Sequence, residues 1–219
     1  MFSEVDNIIF PDSCEVIQTA SQHFVYPIFK CGRSSLHQSM EYKGWKFLSE
    51  DEIKQITTPI TVFLRNPRER FLSGVNTYLQ HLSAEGNDLE QHTVLYFVNK
   101  YLFLNRHYAP QFFWLLHLAK FVGVDAQVTL CDVTEISQLT PRHSHAEVEP
   151  LTDELKEKIE SFDWSKLELY FYLDQILLDH IGQTITIGQL IEHARINHSN
   201  LYELVFQNTL NIANVLSKT

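Results

Sequence analysis

Lys30, Cys31, Gly32, Arg33, Ser34 and Ser35 follow directly on the apolar run Phe24–Phe29, an order of residue types suited to holding a phosphate or a sulfate. A β-branched, apolar run that gives way to a Gly and then to polar residues reads as a buried strand passing through a tight turn into a helix. The start of a helix offers backbone N–H groups and the positive end of the macrodipole to an anion. Gly32 lets backbone approach a ligand, Ser34 and Ser35 add hydroxyl donors, and Lys30 adds a full charge. The pattern differs from the phosphate loop G-x-x-x-x-G-K-[ST], because Lys30 precedes the glycine.

A second segment of the same kind runs from Ile60 to Leu79. Ile60–Leu64 reads as a buried strand with Arg65 at its carboxyl end. Asn66 is placed to cap the following helix, Pro67 suits its first position, and Glu69 stands where a capping box would be completed. Phe71, Val75, Tyr78 and Leu82 form an apolar stripe at helical spacing, and Ser73 falls outside it. An Arg at a strand tip and a Ser on the next helix grip a phosphate from two directions, the Arg through its guanidinium fork.

The two segments together, K-x-G-x-[ST]-[ST] and R-[DN]-P-x-x-R-x-x-S, resemble the sulfotransferases that use 3′-phosphoadenosine 5′-phosphosulfate (PAPS), the carbohydrate-sulfotransferase branch most of all. His107-Tyr108-Ala109-Pro110-Gln111 is similar to the H-W-x-P-Q segment of that branch. The resemblance spans residues 24–111. It implies a P-loop-NTPase-like central parallel sheet with flanking helices and PAPS as co-substrate, with no metal. It further implies that Lys30, Cys31, Gly32, Arg33, Ser34, Ser35 and Leu36 cradle the 5′-phosphosulfate, while Arg65 and Ser73 hold the 3′-phosphate. Three positions depart from the pattern: Arg33 stands where a small or hydroxyl residue is usual, Asn66 replaces Asp, and Tyr108 replaces Trp. In such enzymes Lys30 would neutralise the leaving phosphate oxygen, and a His or Glu would take the acceptor's proton. His107 is the first candidate base and His37 the second. Glu41, one turn from His37, is the third.

The elements that must position these residues alternate between strand and helix. Strands are expected at Phe24–Phe29, Trp45–Leu48, Ile60–Leu64 and Gln127–Cys131. Helices are expected at Ser34–Met40, Pro67–Leu82, Leu89–Leu104 and Gln111–Val122. Such alternation predicts an α/β fold with parallel strands, helices on both faces and ligands at the strands' carboxyl ends, where Lys30 and Arg65 fall. The 219 residues are expected to form one domain, with residues 24–132 as nucleotide-binding core and residues 150–219 as a helical C-terminal part. Helices are anticipated from Thr152, over Lys166–Ile181 up to Gly182, and over Ile185–Leu216 with a turn at Asn197–Asn200. The last pair suits a helical cap or a homodimer contact.

Composition narrows the function classes. A net charge of −10, from 17 basic and 27 acidic residues, argues against nucleic acid as a partner. Cys14, Cys31 and Cys131 are odd in number and lack metal-type spacing, which fits a reduced cytoplasmic setting. His143 and His145 alternate in a polar stretch and read as a solvated loop, not a metal site. No apolar run is long enough to span a bilayer, and the N-terminal residues lack a signal peptide's basic start. The expected activity is sulfuryl transfer to a hydroxyl or amine of a carbohydrate or small-molecule acceptor. Two alternatives remain. One is a nucleotide-dependent phosphotransferase with Asp132 holding magnesium; the other is a relative that binds nucleotide without transfer. The acceptor pocket falls to loops around Glu41–Gln55, Ser83–Asp88 and Leu139–Pro150, with Tyr42, Trp45, Tyr101 and Tyr108 available to stack on a sugar.

Overall fold

The computed structural model describes residues 13–84, 109–140 and 168–197, together with Asp153 and Glu157. A six-stranded mixed sheet runs in the order β3-β1-β2-β4-β5-β6. Its strands are β1 (Ile17–Gln18), β2 (Phe24–Tyr26), β3 (Lys46–Phe47), β4 (Ile60–Leu64), β5 (Gln127–Asp132) and β6 (Thr184–Thr186). The helices are α1 (Arg33–Lys43), α2 (Glu50–Ile53), α3 (Pro67–Ala84), α4 (Gln111–Val122), α5 (Glu168–Leu178) and α6 (Ile187–Asn197), with a 3₁₀ helix over Val133–Gln138.

Only the centre of the sheet is parallel. β2 pairs with β4 (Tyr26 opposite Val62) and β4 with β5 (Leu64 opposite Asp132) in parallel. β1 joins β2 and β3 antiparallel, and β6 joins β5 antiparallel. The sequence reading of a parallel sheet therefore holds for three strands and gives way at both edges. β1 and β2 form a hairpin whose turn puts Gln22 at φ +63°, with Gln22 N–H donating to Thr19 O at 3.0 Å. A strand of two residues carries too little periodicity to be read from sequence. β2 stops at Tyr26 and not at Phe29, because Pro27 has no N–H to give the ladder. Thr184–Thr186 pairs with β5 where the chain had been read as approaching or inside a helix, and α6 begins only at Ile187. The helices expected at Leu89–Leu104 and beyond Asn197 lie outside the described residues. So do most of the segment after Thr152 and the histidines at 107, 143 and 145.

Side chains alternate between the two faces of the central strands, and each face meets its own layer. Ile60, Val62, Leu64, Val128 and Leu130 pack with α4, α5 and α6 through Phe112, Leu116, Leu173, Leu177 and Leu190. On the other face Ile17, Val25 and Phe63 pack with Leu36 of α1 and Ile136 of the 3₁₀ helix. α4 is apolar nearly all round, with Gln111 through Ala119 buried in an unbroken run, as a helix enclosed by neighbours must be. No helix among the described residues is long and apolar enough to cross a membrane.

Ile60 and Ile136 thus lie on opposite faces. Ile60→Val and Ile136→Val are each expected to cost about 0.5–1.5 kcal/mol, and the double variant should equal their sum within about 0.5 kcal/mol. Urea titration reads this, and a strongly non-additive pair would refute the two separate layers.

Candidate functional site

The connection leaving β2 runs through α1 to β3 on one side of the sheet, and the connection leaving β4 runs toward β5 on the other. The crevice between the carboxyl ends of β2 and β4 is therefore a topological switch point, where open α/β sheets place ligands. A cleft of about 290 Å³ opens there, lined by Lys30, Gly32, Ser35, Arg65, Glu69, Val133, Thr134 and Ile136. Its size is at the lower end of the range of ligand pockets, about 300–1,000 Å³.

Lys30 stands in the left-handed region at φ +65°, a conformation that costs a non-glycine residue about 1–3 kcal/mol. Its ammonium donates to Thr77 Oγ1, and Thr77 in turn donates to Ser73 O at 3.1 Å. Burial, with Arg70 and Arg65 close by, lowers the Lys30 pKa to about 8. Gly32 caps α1 at φ +82°, where a Cβ would collide with Ile136 Cδ1. The glycine is thus required both by its backbone and by the 3₁₀ helix that closes the cleft. Ser35 and Leu36 are buried and Ser34 is exposed.

Arg65 is held by its backbone. Its N–H donates to Gln111 Oε1 at 2.8 Å, and its carbonyl accepts from Gln111 Nε2 at 2.9 Å. The same carboxamide accepts from the Cys31 thiol at 3.0 Å and donates to Asp174 Oδ2 at 2.9 Å. One side chain of α4 therefore joins the Lys30 loop, the end of β4 and α5. Burial pushes the Asp174 carboxyl up to about 6, against Arg70 and its hydrogen bonds, which favour the charged form. Burial likewise raises the Cys31 thiol to about 11, so it serves as a donor and not as a thiolate nucleophile. Arg70 is fully buried, donating to Phe29 O at 3.0 Å and to Ala109 O at 2.5 Å.

The α3 start is half of what the sequence reading supposed. Asn66 Oδ1 accepts from the Glu69 N–H at 3.2 Å, but the Glu69 carboxylate meets Arg65 Nε at 3.3 Å instead of returning to the cap. Ser73 is half-buried and is not part of the cleft lining. Arg33 turns away from this cleft. It forms a two-pronged pair with Glu15 at 2.7–3.1 Å and lies 4.4 Å over the Phe29 ring. His37 goes with it, its Nε2 3.3 Å from Glu15 and its ring edge-on to Phe47. Hydrogen bonding from His37, then from Arg33, holds Glu15 down at about 2 despite its partial burial. Asp132 is spent on structure, capping the 3₁₀ helix by accepting from Thr134 N–H at 2.7 Å while Glu135 accepts from its own N–H at 2.9 Å. The structure thus brings Lys30, Gly32, Ser35 and Arg65 together and places Arg33, His37 and Asp132 elsewhere.

Gln111 stands in the sequence only as the end of the His107–Gln111 segment, and Thr134 carries no signal at all. A Thr one turn after Ser73 was the available clue for Thr77. No protein-family model, curated protein or solved structure matches the chain.

Two outcomes test this construction. Asp174→Ala removes the carboxylate that faces Arg70, Gln111 and Phe112, and is expected to lower stability by about 3 kcal/mol. Asp174→Asn keeps an acceptor and should cost less; a urea midpoint for the Ala variant equal to wild type would refute the network's role. Lys30→Gly relieves both the φ strain and the partly buried charge. Its melting temperature should match or exceed that of wild type while anion binding falls, the signature of strain held for function.

Proposed function

We propose that the chain is a sulfotransferase that moves the sulfuryl group of PAPS to a hydroxyl or amine of a carbohydrate or small-molecule acceptor by in-line displacement. The observation that carries this reading is the convergence of Lys30 and Arg65, from the ends of two adjacent parallel strands, on a cleft that begins at the Gly32 helix start. Two cations and a helix N-terminus suit a ligand with separated anionic groups. The P-loop-like character of the sheet is part of the same proposal.

PAPS supplies the sulfuryl group and leaves as adenosine 3′,5′-bisphosphate. The protein's part is positioning and charge. The helix start and Lys30 face the phosphosulfate, and Arg65 faces the 3′-phosphate. Arg65's backbone is fixed by Gln111, which places its Cα at the mouth of the cleft and leaves the side chain to reach the ligand. Lys30 is mostly charged at neutral pH with a pKa of about 8, and its charge is most useful where negative charge builds on the leaving oxygen. His107 carries the role of base in this proposal. It stands two residues from Ala109, whose carbonyl receives Arg70, whereas His37 is turned toward Glu15. The three cysteines are free thiols, two of them buried, which supports a reducing, cytoplasmic setting.

A thermal-shift comparison tests the reading. Adenosine 3′,5′-bisphosphate should raise the melting temperature more than ATP does, without a magnesium requirement, because a ligand that binds only the folded state stabilises it by mass action. Arg65→Ala should weaken bisphosphate binding by about 1.5–3 kcal/mol, and wild-type affinity should fall as pH rises through about 8 and Lys30 loses its proton. Equal binding of the bisphosphate and its 3′-dephospho analogue would remove Arg65 from the role.

A further inference from the structure

The Glu69 carboxylate occupies an unusual place: it lines the same cleft as Lys30, Gly32, Ser35 and Arg65, and its one polar side-chain contact is Arg65 Nε at 3.3 Å. An acidic group in an anion cleft opposes the ligand by like-charge repulsion. Helix capping does not account for it, since Asn66 is satisfied by the Glu69 backbone N–H and the carboxylate gives nothing back to the cap. The two residues have i,i+4 spacing, but they face the cleft and not bulk solvent alone. Arg65 precedes α3, its backbone is clamped at both the amide and the carbonyl by Gln111, and only its side chain is left to move. The pair is open to solvent, with the Arg65 side chain 33% and the Glu69 side chain 64% exposed, so its exchange for another anion requires no unpacking.

We infer that Glu69 is a built-in competitor: its carboxylate stands in for the ligand's phosphate on Arg65 in the resting cleft, and an incoming phosphate must displace it. The inference deepens the reading of the cleft as a nucleotide bisphosphate site. The resting pair neutralises Arg65. A phosphate carries more charge than a carboxylate, and a ligand whose other anionic group meets the helix start and Lys30 wins the exchange; an isolated carboxylate does not.

The test is calorimetric titration of wild type, Glu69→Gln, Arg65→Ala and the double variant at one fixed salt concentration, with adenosine 3′,5′-bisphosphate and with inorganic pyrophosphate as separate probes. Glu69→Gln is expected to bind both probes about two- to fivefold more tightly, the equilibrium equivalent of an exposed ion pair. The gain should vanish in the Arg65→Ala background, because the competition is for that guanidinium. Unchanged or weaker binding by Glu69→Gln overturns the inference, and so does a gain that survives without Arg65, which would be a general charge effect. Pyrophosphate separates this from the proposed function. If pyrophosphate shows the Arg65-dependent gain while the bisphosphate does not bind, the competitor stands and the nucleotide reading falls. If neither probe binds any form, the competitor falls as well.

Discussion

The carboxamide of Gln111 is the contact on which the geometry of the cleft depends. Its oxygen accepts from the Arg65 amide and the Cys31 thiol, and its nitrogen donates to the Arg65 carbonyl and to Asp174. These four bonds reach β4's end, the Lys30 loop and α5, three segments that share no sequence neighbourhood. A fully buried amide has to satisfy each of its donors and acceptors inside the protein. Satisfying them fixes the two strand ends relative to one another. Asp174 and Arg70 extend the same network. The guanidinium ties the carbonyls of Phe29 and Ala109, and it lies close enough to Asp174 to favour that group's charged form. Buried polar networks of this kind specify one arrangement because a partly satisfied version costs more than an apolar core.

With the strand ends fixed, the loop between them carries the strain. Lys30 and Gly32 both have positive φ, with Cys31 between them turned inward to Gln111. Cys31 faces Gln111 while Lys30 reaches Thr77 and the cleft. The backbone thus holds a charged, half-buried residue in a conformation it would not adopt by preference. Gly32 takes its left-handed backbone without strain, and a Cβ there would push on the tip of the Ile136 side chain. The 3₁₀ helix after β5, capped by Asp132, supplies that isoleucine and is therefore as much a wall of the cleft as the loop itself.

The opposite side of α1 tells a different electrostatic story. Glu15 collects Arg33 and His37, and with Arg33 it lines a second, much smaller cavity of about 40 Å³ walled by Tyr26, Phe29 and Trp114. Arg33 thus satisfies its charge locally and stacks on Phe29, leaving the main cleft with Lys30 and Arg65 as its cations. In an acidic protein this separation matters. The cleft's cations are few, and Arg70 nearby adds to the burial that lowers the Lys30 pKa.

The sequence by itself determined the strand Ile60–Leu64 with Arg65 just past its end, the helices from Pro67 and over Gln111–Val122, and the place of Lys30 in the turn that leads into α1. These are local matters: an apolar run, a capping Asn followed by Pro, and a glycine turn act within a few residues, so their signals are written contiguously. The tertiary structure alone decided which charged groups face the cleft. Arg33 and Lys30 are three residues apart and look equivalent in the chain, yet one is claimed by Glu15 and the other by Thr77. Glu69 looked like a capping residue until Arg65 took its carboxylate. The antiparallel strands β1 and β6 were invisible for the same reason. Strands of two and three residues get their identity from the partner they pair with, and pairing is a property of the folded sheet, not of the segment.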